Sequence, residues 1–297
     1  MRASSSFPAR ERALVLHGGG SAGNAWEIGV IAGLLDGGVD VTRADLIVGT
    51  SAGGTAAVQI TRGAPSALLA DILSAAPSPR TRPAGGEPAR PAIDHLARTD
   101  RIIAASTDAN DMHRRMGAGA LELDAASDGS WSARWRAVTE ARLPGAHWPE
   151  QRVLITALDA RTGQGVAFDR DSGVDLLDAV AASTSSGDPY RIGDDRYIDG
   201  GYRRNENADL AHGSARVLVL SPFSGRTRHP LEWGMQLAAQ VEELRAAGSR
   251  VETVFPDDGS VAAFGTNMMD PSTRPPAARA GFEQGRALAP RLGDFWR

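Results

Sequence analysis

Between residues 12 and 61 a short apolar run twice ends in a glycine-rich turn and passes straight into an apolar-periodic segment. This order constrains the fold more than any other feature of the chain. The first unit is Ala13-Leu14-Val15-Leu16, then Gly18-Gly19-Gly20-Ser21-Ala22-Gly23, then residues 24–35. In that last stretch Trp26, Ile28, Val30, Ile31, Leu34 and Leu35 recur at helical spacing before Gly37-Gly38. The second unit is Asp45-Leu46-Ile47-Val48, the turn Gly49-Thr50-Ser51-Ala52-Gly53, and a helix over residues 55–61. An apolar run too short for a helix, bounded by charge and glycine, reads as a buried strand, and strand–turn–helix units in succession favour a parallel sheet covered by helices. Strands are expected again at residues 152–157, 216–220 and 251–255, with helices at 176–182 and 231–247. The fold class is α/β.

Composition removes several kinds of chemistry. There is no cysteine, which excludes disulfides, thiolate catalysis and cysteine-ligated metal centres. All 32 basic residues are arginine, so neither a Schiff-base lysine nor a P-loop lysine exists. The formal charge of −4 leaves no basic excess for a nucleic-acid footprint. Residues 1–11 contain no apolar stretch of signal-peptide length, and no run in the chain is long and apolar enough for a bilayer span. We therefore expect a cytoplasmic protein with no transmembrane segment and no nucleic-acid partner.

Gly49-Thr50-Ser51-Ala52-Gly53 places a serine between glycines at a strand-to-helix junction. Such a turn exposes the hydroxyl above the sheet edge, and the helix that follows aims its positive end at the same point. The earlier Gly18 to Gly23 loop can bring backbone amides up to a ligand oxygen, either a phosphate or a tetrahedral oxyanion. Gly18, Gly20 and Gly23 fit a dinucleotide fingerprint, but the second strand runs into the serine turn where that fingerprint wants an acid. A third feature is Asp199-Gly200-Gly201 after Tyr197-Ile198. Its aspartate can serve as a base toward a serine within reach, or it can be an ordinary turn residue.

In this order the glycine loop, the serine turn and the Asp-Gly-Gly resemble the patatin-like phospholipases. Trp26-Glu27-Ile28-Gly29-Val30, Ala181-Ala182-Ser183 and Asn205 extend the likeness, which covers roughly residues 12–221. Ser21-Ala22 stand where that family commonly has an arginine or lysine, and Pro189 alone can represent its usual proline. The resemblance implies a three-layer sandwich with a mainly parallel central sheet and helices on both faces. It implies a Ser51–Asp199 dyad acting through an acyl-enzyme, with Gly18, Gly19, Gly20, Gly23 and Ala52 as the oxyanion hole and Gly49 and Gly53 shaping the turn. No cofactor or metal is implied. The substrate is then a lipid or small carboxylic ester, with transient contact to a membrane surface.

Other readings stay open at this point. The same dyad can pass the acyl group to an alcohol. His17-Gly18-Gly19-Gly20 also looks like an α/β-hydrolase oxyanion motif, which would call on His212 or His229 to complete a Ser-Asp-His triad. A binding module without catalysis would use the glycine loop for a nucleotide or other anion. Residues 12–297 are expected to form one domain after an extended or disordered start at 1–11. Within it, 75–149 would be a Pro-rich loop and a helical, cap-like insertion. For residues 266–270 ordinary packing is the default expectation, and a fold back near the site the alternative.

Overall fold

A computed structural model of the chain describes residues 10–75 and 95–297. Most of the N-terminal start and of the Pro-rich stretch therefore lies outside the described residues. The elements follow in the order β1 (Arg10–Leu16), α1 (Gly20–Asp36), β2 (Leu46–Gly49), α2 (Ala52–Arg62), α3 (Pro65–Ser74), α4 (His95–Ala105), α5 (Ala109–Ala125) and α6 (Ser130–Arg142). The second half holds β3 (Val153–Asp159), β4 (Gly165–Phe168), α7 (Leu176–Ser183), β5 (Tyr190–Ile192), β6 (Asp195–Asp199), β7 (Ser214–Leu220), α8 (Leu237–Ala246), β8 (Arg250–Val254), α9 (Asp258–Phe264) and α10 (Arg274–Trp296).

The sheet has eight strands, whose hydrogen-bonded pairings run β5-β6, β6-β3, β3-β2, β2-β1, β1-β7 and β7-β8, with β4 also paired to β3. β1, β2, β3, β7 and β8 are mutually parallel. Their side chains alternate between two buried faces, which is why these strands read as unbroken apolar runs. Leu14 and Leu16 of β1 join the core formed with α1 and α10, whereas Ala13 and Val15 join Val241 and Leu244 of α8. On that second face Leu158 and Ile198 also meet Met112 and Met116 of α5. The architecture is a central mixed sheet with helices on both sides.

One register decides where the ends of β2 and β6 meet. Along β3, Ile155 pairs with Gly49 of β2 and with Phe168 of β4, and Ala157 pairs with Asp199 of β6 and with Val166 of β4. A strand has two edges, and β4 fills one of them through both positions. β2 and β6 must therefore share the other edge. β2 is parallel to β3 and β6 antiparallel, so their C-terminal ends, Gly49 and Asp199, face each other two residues apart along β3.

Some elements differ from expectation. Helix α1 starts at Gly20, inside the glycine loop rather than after it. The helix expected over 231–247 is interrupted: Leu231–Trp233 forms one 3-10 turn, Gly234 adopts a φ of +64°, and α8 begins at Leu237. The long α10 was not anticipated, because Pro275, Pro276 and Pro290 and several glycines discourage a helix reading. Here the prolines at 275 and 276 occupy the helix start, where a missing amide matters little. The glycines serve close packing on α1, since a Cβ on Gly29 would lie 2.2 Å from the Ala278 carbonyl oxygen and one on Gly285 2.3 Å from that of Val30.

Candidate active site

Ser51 lies between the last residue of β2 and the first turn of α2 with φ 54° and ψ −122°, a conformation that only a tightly enclosing structure retains for a residue with a side chain. Such a conformation stores about 1–3 kcal/mol. The enclosure is visible at the flanking glycines. A Cβ on Gly53 would stand 2.2 Å from the Leu16 carbonyl oxygen, and one on Gly49 2.6 Å from the Gly54 Cα. The Ser51 amide donates to Ser183 Oγ at 2.8 Å, which ties the turn to the end of α7.

From this turn the Ser51 hydroxyl donates a 2.7 Å hydrogen bond to Asp199 Oδ2. The other carboxylate oxygen accepts from the Gly201 amide at 2.8 Å. Burial raises the Asp199 carboxyl to about 6, opposed by its hydrogen bonds from Gly201 and Ser51. Gly200 has no room for a side chain, because a Cβ there would lie 2.1 Å from Thr156 Oγ1. Asp199 is thus a strand end pressed against β3, with a short 3-10 turn, Gly200–Tyr202, after it.

Behind the pair sits a buried polar wedge that joins Thr50 of the serine turn to Thr156 and Asn207, two residues outside the sequence motifs. Asn207 donates through Nδ2 to Thr50 Oγ1 at 3.0 Å and to the Gly200 carbonyl at 3.0 Å. Thr156 Oγ1 donates to Thr50 Oγ1 at 2.9 Å. Asn207, Thr50 and Thr156 are all fully buried, so these bonds replace lost water and fix the separation of the two strand ends. Asn205, which the family likeness pointed to, lies elsewhere. Its side chain bonds the Arg226 carbonyl, Thr227 and His229. A left-handed asparagine, φ 57° at Asn207, is the local signature that separates the two.

The glycine loop lies against the serine. A Cβ on Gly18 would be 3.0 Å from Ser51 Cβ and 3.4 Å from its Oγ. Gly20 takes a φ of +61° beneath Met268 and Met269, so residues 266–270 do return to the site. Among the described residues the amides of Gly19, Gly20 and Ala52 have no acceptor. Gly23 departs from the expected oxyanion role. It is already helical, its amide donates to the Gly19 carbonyl at 2.9 Å, and its missing side chain makes room for Pro222. The Ala22 amide, which a phosphate at this helix start would need, donates to the Met268 carbonyl at 3.0 Å.

No histidine hydrogen-bonds Ser51 or Asp199 among the described residues, which include all six histidines. His229 bonds Thr227 and Asn205, and burial lowers it to about 4. His212 is exposed at the surface. His17 is buried edge-on against Phe223, with its imidazole lowered to about 4 by that burial. Among the described residues there is no cluster of acids and histidines able to hold a metal, and no helix long and apolar enough to cross a membrane.

The family model described as "Patatin-like phospholipase" matches residues 14–212. No curated protein matches the chain. Among solved structures it is similar to VipD from Legionella pneumophila, at 11% identity and a TM-score of 0.44, covering 96% of this chain and 67% of that one. It is also similar to the type III effector protein ExoU, at 13% identity and a TM-score of 0.34. That match covers 94% of this chain, which spans only 54% of the effector's length.

Proposed function

The chain belongs to the patatin-like phospholipase family, and we propose that it hydrolyses carboxylic esters of lipids with Ser51 as nucleophile and Asp199 as its base. The observation that carries this reading is the 2.7 Å hydrogen bond from Ser51 Oγ to Asp199 Oδ2 at the facing ends of β2 and β6. An ordinary carboxylate is a poor base at neutral pH. One raised to about 6 is closer to the ideal of a group that is ionised yet still able to take a proton.

The reaction follows from this geometry. Ser51 Oγ attacks the ester carbonyl while its proton passes to Asp199 Oδ2. Negative charge collects on the former carbonyl oxygen, where the amides of Gly19, Gly20 and Ala52 receive it. Losing one such donor typically lowers kcat by about 10²- to 10³-fold. Asp199 returns the proton to the departing alkoxide, leaving the acyl group on Ser51. A water then gives its proton to Asp199 and its oxygen to the acyl carbon, and Ser51 leaves with the proton restored.

A lipid substrate suits the mouth of the site. Met269, 64% exposed, lies directly over Gly20, where an apolar side chain can meet an acyl chain or a lipid surface. A panel of phospholipids, monoacylglycerols, aryl esters and acyl thioesters, run on the wild type, Ser51→Ala and Asp199→Ala, tests the proposal. We expect hydrolysis of at least one acyl ester by the wild type and none by either variant. An active Asp199→Ala would break the dyad assignment.

A further inference from the structure

The proposed reaction delivers negative charge to the Gly19 amide, and Gly19 packs against the turn that leaves β7. We propose that Glu206, outside the dyad and the glycine loop, is the positioning residue for that amide, acting through Ser221 and Pro222. This role rests on the ester hydrolase reading above and supplies the support that its oxyanion loop needs.

The turn after β7 is shaped to the glycine loop. Ser221 follows the last residue of β7, and its amide donates to the Val254 carbonyl of β8 at 3.0 Å. Pro222 then meets the loop directly: a Cβ on Gly19 would lie 2.8 Å from Pro222 Cβ, and one on Gly23 3.2 Å from it. Phe223 lies edge-on to His17, the residue before the loop. Ser224 and Gly225 bend the chain back with φ of 58° and 67°, a sequence of two left-handed residues that needs an internal tie. The Ser221 hydroxyl supplies it, accepting the Gly225 amide at 3.0 Å and donating to Glu206 Oε1 at 2.8 Å.

Glu206 reaches this turn from the side of the base. Its neighbour Asn207 holds the Gly200 carbonyl and Thr50, so two adjacent side chains tie the strand ends and the support of the glycine loop to one short segment. Glu206 is fully buried, and its second oxygen, Oε2, has no hydrogen-bond partner among the described residues. Burial raises the carboxyl to about 7, opposed by the hydrogen bond from Ser221 and by the Glu206 amide. A half-satisfied buried carboxyl costs stability, so its contribution lies in orientation. A serine hydroxyl has one proton and two lone pairs. Glu206 commits that proton, which turns a lone pair to the Gly225 amide and holds Pro222 against Gly19.

Kinetics on an aryl laurate, with a long-chain trifluoromethyl ketone and the matching secondary alcohol as inhibitors, test this role. The ketone adds to Ser51 and places an oxyanion at the amides, whereas the alcohol reads ground-state binding alone. Glu206→Ala should lower kcat by about 10²-fold with KM little changed, the scale of a misplaced catalytic group. Affinity for the ketone should fall in parallel and affinity for the alcohol should hold. Glu206→Gln keeps an acceptor for Ser221 and should stay within about fivefold of wild type, the difference between a charged and a neutral acceptor. Ser221→Ala should match Glu206→Ala, and the double variant should be no worse than either. Should Glu206→Ala not fold, Pro222→Gly carries the same prediction with Glu206 intact. In protein labelled with 15N-glycine, the Gly19 and Gly23 amide signals should move in Glu206→Ala and that of Gly117 in α5 should not. Wild-type kcat in Glu206→Ala, equal losses of affinity for ketone and alcohol, or a glutamine variant as impaired as the alanine one would overturn the proposal. A wild type that hydrolyses no ester would instead contradict the dyad reading, and a displaced Gly19 amide in Glu206→Ala would still uphold the positioning.

Discussion

Ser51 Oγ and Asp199 Oδ2 are 2.7 Å apart across 148 positions of sequence because β2 and β6 end face to face on one edge of β3. Neither side chain needs a flexible reach. Each sits at the terminus of a strand whose register is set by paired neighbours, and the Thr50–Thr156–Asn207 wedge fills the space behind them.

The raised Asp199 pKa sets the pH dependence. Asp199 must be ionised to accept the Ser51 proton, so kcat/KM should rise with pH, bend near about 6 and fall about tenfold per unit below it. Stability has the opposite sign. The folded state holds this proton more tightly than the unfolded chain, so the contribution of Asp199 is complete below the ordinary carboxylate value and lost as pH rises through about 6. An Asp199→Asn protein should therefore melt higher than wild type above that pH, and the gap should close in acid. Melting curves across the range check both halves.

Two glycines that look alike in sequence should fail differently. Gly18→Ala puts a methyl group 3.0 Å from Ser51 Cβ, where the serine can shift, so we expect a folded protein with kcat reduced by about 10²-fold or more. Gly53→Ala drives a methyl group to 2.2 Å from the Leu16 carbonyl oxygen, inside the joint between β1 and α2. That variant should lose soluble folded protein, as circular dichroism and expression yield will report.

Asn207→Ala should affect stability and catalysis together. It strips donors from the Gly200 carbonyl and Thr50 and places alanine at a φ of 57°. A loss of about 2–4 kcal/mol follows from the unsatisfied buried groups and the left-handed backbone. At temperatures where the variant remains folded, kcat should fall with KM little changed, because the strand ends lose their spacer.

Histidine should be dispensable for the chemistry. His212→Ala and His229→Ala should retain ester hydrolysis within about twofold of wild type, since neither side chain touches Ser51 or Asp199. A large drop in kcat for His229→Ala, with the fold intact, would return a Ser-Asp-His mechanism to consideration.

The start of the fold was legible because its signals are local. The strand before Ser51, the turn and the helix after it occupy one short stretch, and glycine marks the positions where the backbone has no room. Asp199 was legible only through its motif, since nothing near it in sequence tells that β6 runs antiparallel into the end of β2. Asn207 and Thr156 were illegible for the same reason: their partners come from three separate strands and turns. Helix α10 was hidden because its glycines and prolines oppose helix formation locally, and contact with the matching glycines of α1 is what overrides them.

The most direct measurement is intact-mass analysis of the wild type, Ser51→Ala and Asp199→Asn after exposure to a fluorophosphonate, with peptide mapping of the modified residue. The dyad account predicts one phosphonyl group on wild type, located at Ser51, none on Ser51→Ala, and labelling slowed by orders of magnitude in Asp199→Asn. Labelling of Asp199→Asn at the wild-type rate, or ester hydrolysis by a Ser51→Ala protein, would contradict it.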